Sequence, residues 1–177
     1  MELNGLVRPI PRVRVLITSS RDTSNRTRSF LNYLEYIFPD SLKINRGKRK
    51  LEEMFIASKV LGGILLVVVN TSKGNPGSIE VYDVAYEHLL YKFKISELSL
   101  RSDYEPISLN NTRRSLCLLN MAWQCFNVAS FLIDMGAKRS YECNVMAKVW
   151  YDSICKISFI NKKGVEIARI GLNDDNN

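Results

Sequence analysis

A continuous apolar run of six residues, Ile64 to Val69, constrains the fold of this chain more than any other segment. The run has the length of a β-strand and no polar alternation, which indicates that both faces of the strand are covered. It is far shorter than the roughly twenty apolar residues of a membrane-spanning helix, so we expect no membrane partner. The run therefore predicts an α/β protein with this segment as a central strand.

Amphipathic patterns flank the run and predict the helices that cover it. The first pattern follows Thr23 or Ser24, either of which can cap a helix, and Pro39 ends it. The second ends at Gly62-Gly63, where a glycine can adopt the left-handed conformation of a helix cap. The predicted elements are a strand at 13–18, helices at 30–38 and 51–61, a turn at Asn75-Pro76-Gly77 and a strand at 79–84.

The rest of the chain is patterned less clearly. It predicts a bent strand at 89–100, a helix from Thr112 that closes at Gly136, and two or three strands over 149–170 with a hairpin at 161–164. The amide and acidic stretch 173–177 and residues 1–7 are expected to be flexible ends. Strands and a helix thus recur in this half, but no sequence identity demonstrates a duplication.

Positive charge is concentrated in the first quarter of the sequence. Between Arg8 and Lys50 there are eleven Lys and Arg against three acids, whereas residues 51–177 hold fourteen of each sign. A chain that concentrates its charge in this way is expected to meet a polyanion there, and RNA is the partner that we predict. The length of 177 residues fits one domain or two small halves packed as one body.

Two basic segments carry this charge. The first basic segment, Ser19 to Arg28, follows a predicted strand and opens a helix, whose unpaired N–H groups and positive dipole end favour an anion. Its hydroxyls and the guanidinium groups of Arg21, Arg26 and Arg28 match phosphate oxygens. Because Arg26 and Arg28 lie about 200° apart on a helix, one of them is expected to serve the surface or a carboxylate instead. The alternative is a solvated, charged start of a helix.

The second basic segment, Asn45 to Lys50, combines four cations with Gly47, which lets the backbone approach a ligand. These cations precede a predicted helix, where the dipole disfavours them, and an anionic partner explains that placement better than a solvated face. Lys73 lies in a turn, and either a phosphate contact or a purely structural role remains open for it.

Signals for metal binding and catalysis are nearly absent. The four cysteines lack metal-site spacing, and we expect a reduced, intracellular chain in which Cys117 and Cys125 are small buried hydrophobes. No phosphate-loop, dinucleotide-binding or zinc-protease motif occurs, and His88 stands alone. We therefore expect no cofactor and no enzyme activity, and an RNA-directed enzyme that uses the first basic segment is a remote alternative.

Three blocks of sequence resemble the Brix-domain proteins of ribosome assembly, in their short archaeal form. They read I-T-S-S-R-D-T-S-N-R-T-R-S-F at 17–30, I-N-R-G-K at 44–48 and V-N-T-S-K-G-N-P-G at 69–77. The match extends through residues 79–83, and beyond Tyr86 only the strand pattern agrees. The resemblance implies a single Brix domain over 8–177, with approximate halves 8–86 and 87–172.

The resemblance also implies a fold of two similar α/β halves, each with a mixed sheet and covering helices, like the anticodon-binding domain of class IIa aminoacyl-tRNA synthetases. The implied function is that of a non-catalytic, cytoplasmic ribosome biogenesis factor that binds pre-rRNA and assists its processing. A protein-interaction scaffold, using Trp123, Phe126, Trp150 and Tyr151 as a patch for ribosomal or assembly proteins, is the alternative. The candidate RNA-binding residues are Arg21, Arg26, Arg28, Asn45, Arg46, Gly47, Lys48, Lys50 and Lys73.

Overall fold

The computed structural model describes residues 13–103 and 115–175, and within them the chain forms one mixed sheet with helices on both faces. The elements are, in chain order, β1 (Val15–Ser19), α1 (Asn25–Ile37), β2 (Ser41–Lys43), α2 (Leu51–Val60), β3 (Leu65–Ser72), β4 (Asn75–Asp83), β5 (His88–Leu100), β6 (Leu116–Asn120), α3 (Phe126–Asp134), β7 (Val145–Asp152), β8 (Ile154–Asn161) and β9 (Glu166–Asp174). Short 3₁₀ turns lie at Arg101–Asp103 and Trp123–Cys125.

The strands of the described residues are ordered β2-β1-β3-β4-β5-β9-β8-β7-β6. β1 runs parallel to both β2 and β3, and β6 runs parallel to β7. The remaining neighbours are antiparallel, and β5 joins the two groups of strands by pairing with β9. The α/β class and the mixed sheet predicted from the sequence are therefore confirmed.

The central strand β3 contributes to a core on each face of the sheet. Leu65, Val67 and Val69 lie in the main core, which α1 and α3 cover together. Leu66 and Val68 point to the other face, into a smaller core under α2. This alternation explains why the run has no polar residues, since each face of the strand is buried.

The main core is continuous between α1 and α3. Phe38, directly after α1, packs edge-to-face against Phe131 of α3 with ring centroids 5.9 Å apart, and against Phe159 of β8 at 6.2 Å. Such aromatic contacts add stabilisation beyond the area that they bury. The two groups of strands consequently share one hydrophobic core.

Two predicted elements are wrong. The turn predicted at Asn75-Pro76-Gly77 is displaced, because these residues begin β4. The turn predicted to contain Lys73 is confirmed, since Lys73 and Gly74 have positive φ angles of 51° and 80° and join β3 to β4 in a tight hairpin. The predicted helix through Leu116 begins only at Phe126, because Leu116–Asn120 forms β6 beside β7. A short apolar run cannot be assigned to helix or strand from spacing alone. The start predicted at residue 112 lies outside the described residues.

The prediction of reduced cysteines is also wrong. Cys117 is bonded to Cys143 and Cys125 to Cys155, each pair with Cα atoms 5.6 Å apart. Cys117 and Cys125 are buried as predicted. The pairing depends on contacts between segments 26 and 30 residues apart, which the spacing of the cysteines does not reveal.

The two ends and the membrane prediction can be compared only in part. Asn173 and Asp174 belong to β9 and pair with β5, while the flexibility of the two ends stays a prediction. The expected flexible segment 1–7 and residues 176–177 lie outside the described part of the chain. Among the described residues, no helix is long and apolar enough to cross a membrane.

Candidate nucleic-acid interface

The two basic segments lie side by side at the edge where the parallel strands β1 and β2 end. The N–H of Ile44 donates to the carbonyl oxygen of Ile17 (2.9 Å), and the N–H of Ser20 donates to that of Val69 (2.9 Å). These bonds tie the chain that leaves β2 and the chain that leaves β1 to the same edge. α1 starts within the first basic segment and α2 starts directly after the second, so two helix N-termini lie at this edge. Ligands of α/β sheets commonly bind at such an edge.

The N-terminus of α1 is ordered by hydroxyl groups. The Ser24 side chain caps the helix by accepting from the N–H of Thr27 (3.1 Å), whose hydroxyl lies 2.8 Å from that of Thr71. The N–H of Thr71 donates to the Ser20 hydroxyl (3.3 Å), which attaches the β3–β4 hairpin to the first basic segment. The first turn of α1 contains no acid, and the buried hydroxyl of Thr23 has no partner among the described residues. The first turn of this helix itself therefore supplies no negative charge to offset its positive end.

Arg46 lies inside the interface rather than on its surface. It is 9% exposed, and its guanidinium donates to the carbonyl oxygens of Ser19 (3.0 Å) and Arg49 (2.6 Å). Burial lowers the pKa of Arg46, and the nearby positive charges of Arg21 and Arg49 lower it further. Arg46 thus connects the two basic segments and brings three guanidinium groups close together, and the charge of Glu52 offsets their repulsion only in part.

Arg26 and Arg28 separate as the helical geometry predicts. The Arg26 guanidinium donates to the carboxylate of Asp103 (2.9 Å) and to the carbonyl oxygen of Leu98 (3.5 Å). The hydrogen bond from Arg26 holds the pKa of Asp103 below its ordinary value of 3.8. Arg28 is exposed and donates to the side chain of Asn25 (3.3 Å). The expectation that one of the pair serves a carboxylate is confirmed for Arg26.

The other candidate residues are exposed. The exposed set consists of Arg21, Arg28, Asn45, Gly47, Lys48, Lys50 and Lys73. Gly47 has a φ of +56°, and a Cβ atom there would meet nothing within 4 Å, so backbone conformation rather than space requires a glycine. Arg49, which is outside the predicted set, is also exposed. Its position between Lys48 and Lys50 in the second basic segment could have identified it as a further candidate.

The charges at the start of α2 are partly offset. Glu52 and Glu53 lie in its first turn, and the Glu53 carboxylate accepts from the backbone N–H of Lys50 (3.1 Å). The carboxylates of Glu52 and Glu53 interact favourably with the positive end of the α2 dipole. They therefore reduce the unfavourable interaction between that dipole and the preceding cations. Among the described residues, no cluster of His, Cys, Asp and Glu could hold a metal ion. The edge therefore offers cations, hydroxyl groups and helix N-termini, which together suit a phosphate backbone.

A comparison with known proteins places this chain in a family. Over 170 residues the chain is 41% identical to the probable Brix domain-containing ribosomal biogenesis protein of Saccharolobus solfataricus, covering 92% of this chain and 98% of that protein. This chain belongs to the Brix family of ribosomal biogenesis proteins. The predicted resemblance to the archaeal form is thereby confirmed, although none of the family models compared with the chain matches it.

Two further similarities extend the description of this Brix protein. A crystal structure of a probable ribosomal biogenesis protein from Aeropyrum pernix K1 is 25% identical, with a TM-score of 0.79, and covers 93% of this chain and 98% of that one. The U3 small nucleolar ribonucleoprotein protein IMP4 of Bos taurus is 31% identical over 90 residues, which are 51% of the Brix chain and 31% of the bovine protein. The names of these relatives indicate ribosome biogenesis and no enzymatic family.

Proposed function

We propose that this Brix protein binds pre-rRNA through the basic edge formed by the two basic segments, and that it assists rRNA processing and subunit assembly without catalysis. The observation that carries the proposal is the convergence of exposed cations and two helix N-termini at one edge of the sheet. The buried guanidinium of Arg46 supports it, since this group holds both segments in place. The names of the relatives supply the ribosomal context.

The contacts are expected to be mainly with phosphates. Arg21, Lys48, Arg49 and Lys50 supply exposed positive charges, while Arg26 and Arg46 position the backbone from within. Phosphate contacts give affinity with little base specificity, so the RNA is expected to be selected by shape and by accompanying proteins. We also propose a cytoplasmic location for the chain.

A salt titration tests the proposal. The affinity for a labelled single-stranded fragment of pre-rRNA is measured by fluorescence anisotropy over a series of salt concentrations. The double variant Lys48→Ser/Lys50→Ser removes two exposed cations from the basic edge. Each lost phosphate contact lowers the magnitude of the log–log salt slope by about 0.7, so two contacts lower it by roughly 1.4.

The matched control is Lys162→Ser/Lys163→Ser, which removes two exposed cations from the turn between β8 and β9. It changes the net charge equally but leaves the basic edge intact. We expect its salt slope to equal that of the wild type. Equal slopes for all three proteins would contradict the proposed interface, and so would a salt-independent affinity of the wild type.

We also infer that the two parts of the sheet are related units, as expected from the likeness to the anticodon-binding domain. Each part contains a strand, a helix that covers the main core, and a parallel neighbouring strand followed by two antiparallel strands. β1, α1, β3, β4 and β5 correspond in this scheme to β6, α3, β7, β8 and β9. Residues 139–144 take the place that α2 occupies in the first part.

A further inference from the structure

An exposed apolar patch lies at the start of α3, far along the chain from the basic edge. The patch consists of Met121, Trp123, Phe126 and Tyr151, and is called the Trp123 patch below. Trp123 is 80% exposed and Phe126 is 63% exposed, while Met121 and Tyr151 are close to half exposed. Isolated apolar residues on a surface need no explanation, but aromatic side chains gathered at one place indicate an interaction surface.

Covalent and hydrogen bonds hold the residues of the patch together. Tyr151 pairs across the β7–β8 hairpin with Cys155, which is bonded to Cys125, the residue before Phe126. On the other side, the Asn120 side chain accepts from the N–H of Val149 (3.1 Å). The segment that carries Trp123 is thus attached to β7 and β8 at both of its ends. A fixed aromatic surface loses little conformational entropy when a partner binds.

The chemistry of the loop between β6 and α3, which carries Trp123, is opposite to that of the first basic segment. Both loops lead from a strand with a parallel neighbour into a helix that covers the main core. The first basic segment carries hydroxyl groups and three arginines, whereas residues 115–137 contain no lysine or arginine. A loop without lysine or arginine of its own supplies no charge to neutralise phosphates, so an RNA backbone does not match it. The Trp123 patch is better suited to protein.

An acidic group borders the patch and defines the charge of the partner. The carboxylate of Asp174 accepts from the side chain of Asn127 (3.1 Å), next to Phe126. Asp152, which follows Tyr151, points to the opposite face of the sheet, where it contacts Lys156 at 3.4 Å, and so does not border the patch. Positively charged groups on a partner would be attracted to this border.

We propose that the Trp123 patch binds a short segment of a partner protein in which apolar or aromatic residues are flanked by lysine or arginine. Trp123 and Phe126 are the anchors, and Asp174 selects the flanking positive charge. This second surface is independent of RNA binding at the basic edge, so one Brix chain can hold RNA and protein at once.

A peptide array tests the inference. Short overlapping peptides that tile the ribosomal proteins of Saccharolobus solfataricus are probed with the full chain, with Trp123→Ser/Phe126→Ser and with the control Tyr86→Ser. Tyr86 is 80% exposed in the first part of the sheet, so the control removes an equally exposed aromatic side chain. We expect basic, apolar peptides to bind the wild type and the control, and to bind the patch variant roughly tenfold more weakly or worse.

Tryptophan fluorescence gives a second readout that does not need the double variant. The chain has two tryptophans, and Trp150→Phe leaves Trp123 as the only one. Titration with a binding peptide is expected to shift the Trp123 emission to shorter wavelength, and Asp174→Asn is expected to weaken the binding.

Four results would overturn the inference. Two concern the array: no peptide binds in a way that depends on Trp123, or acidic peptides are preferred. The other two are a Trp123-dependent dimer of the free protein in sedimentation, and a shift of the Trp123 emission when oligouridylate RNA is added. RNA affinity of the patch variant, measured on the pre-rRNA fragment, separates the two proposals, because we expect it to stay unchanged whether or not the patch binds protein.

Discussion

Arg46 is expected to contribute more to stability than any exposed cation of the basic edge. Its guanidinium makes two hydrogen bonds to carbonyl oxygens, at 3.0 Å to Ser19 and 2.6 Å to Arg49, and it is 9% exposed. Hydrogen bonds from a charged group contribute about 1.5–3 kcal/mol each. Arg46→Met removes both bonds but also ends the burial of a charge, so we expect a net loss of about 2–4 kcal/mol in the free energy of unfolding.

Urea unfolding followed by circular dichroism measures this loss from the transition midpoints, provided that the slopes agree. Lys48→Met is the matched control, since Lys48 is exposed and its replacement should change stability by no more than about 0.5 kcal/mol. Arg46→Lys keeps the charge but cannot reach both carbonyl oxygens with a planar fork, so we expect it to lose most of the same stability. If Arg46→Met were as stable as Lys48→Met, the bridging role of Arg46 would be refuted.

Three further predictions concern the disulfides, an ion pair and a helix cap. Cys143→Ser and Cys155→Ser each open a loop of 26 or 30 residues and should lower the free energy of unfolding by roughly 3–4 kcal/mol, as measured by urea unfolding with and without reductant. The depressed pKa of Asp103 means that its ion pair with Arg26 stabilises the fold above an ordinary value of 3.8 and is lost as pH falls through the lower folded value. Asp103→Asn should therefore make acid unfolding less steep below about pH 4, and an unchanged profile would contradict this. Ser24→Ala removes the cap of α1 and should cost about 1 kcal/mol in thermal unfolding, whereas Ser24→Asp should retain most of that stability.

Local signals predicted the parts of the fold that depend on local physics. The periodicity from Phe30 to Ile37 and the cap at Ser24 predict α1, because both are properties of neighbouring residues. The unbroken apolar run predicts β3 as a buried strand. In contrast, β6 shares the apolar spacing of a helix, and only its pairing with β7 decides that it is a strand. The disulfides likewise depend on distant segments meeting.

The candidate site shows the same division. Composition alone indicates where the cations are, and the resemblance of the sequence blocks indicates the family. Sequence does not indicate that Arg46 turns inward or that Arg26 reaches Asp103, because both contacts join residues far apart in the chain. The sequence suggests a patch of Trp123, Phe126, Trp150 and Tyr151 only as an alternative, and Trp150 does not belong to it, because its ring packs against the guanidinium of Arg169 on the other face of the sheet. The exposure of the Trp123 patch depends on how the start of α3 is attached to β7 and β8.

Crosslinking and sequencing of RNA bound in cells tests most directly whether the basic edge binds pre-rRNA. The wild type is compared with Lys48→Ser/Lys50→Ser and with Lys162→Ser/Lys163→Ser, which lose the same charge at different places. We predict reads concentrated on pre-rRNA for the wild type and the Lys162/Lys163 variant, and a marked loss for the Lys48/Lys50 variant. No enrichment of pre-rRNA with the wild type, or equal enrichment with all three proteins, would contradict the account.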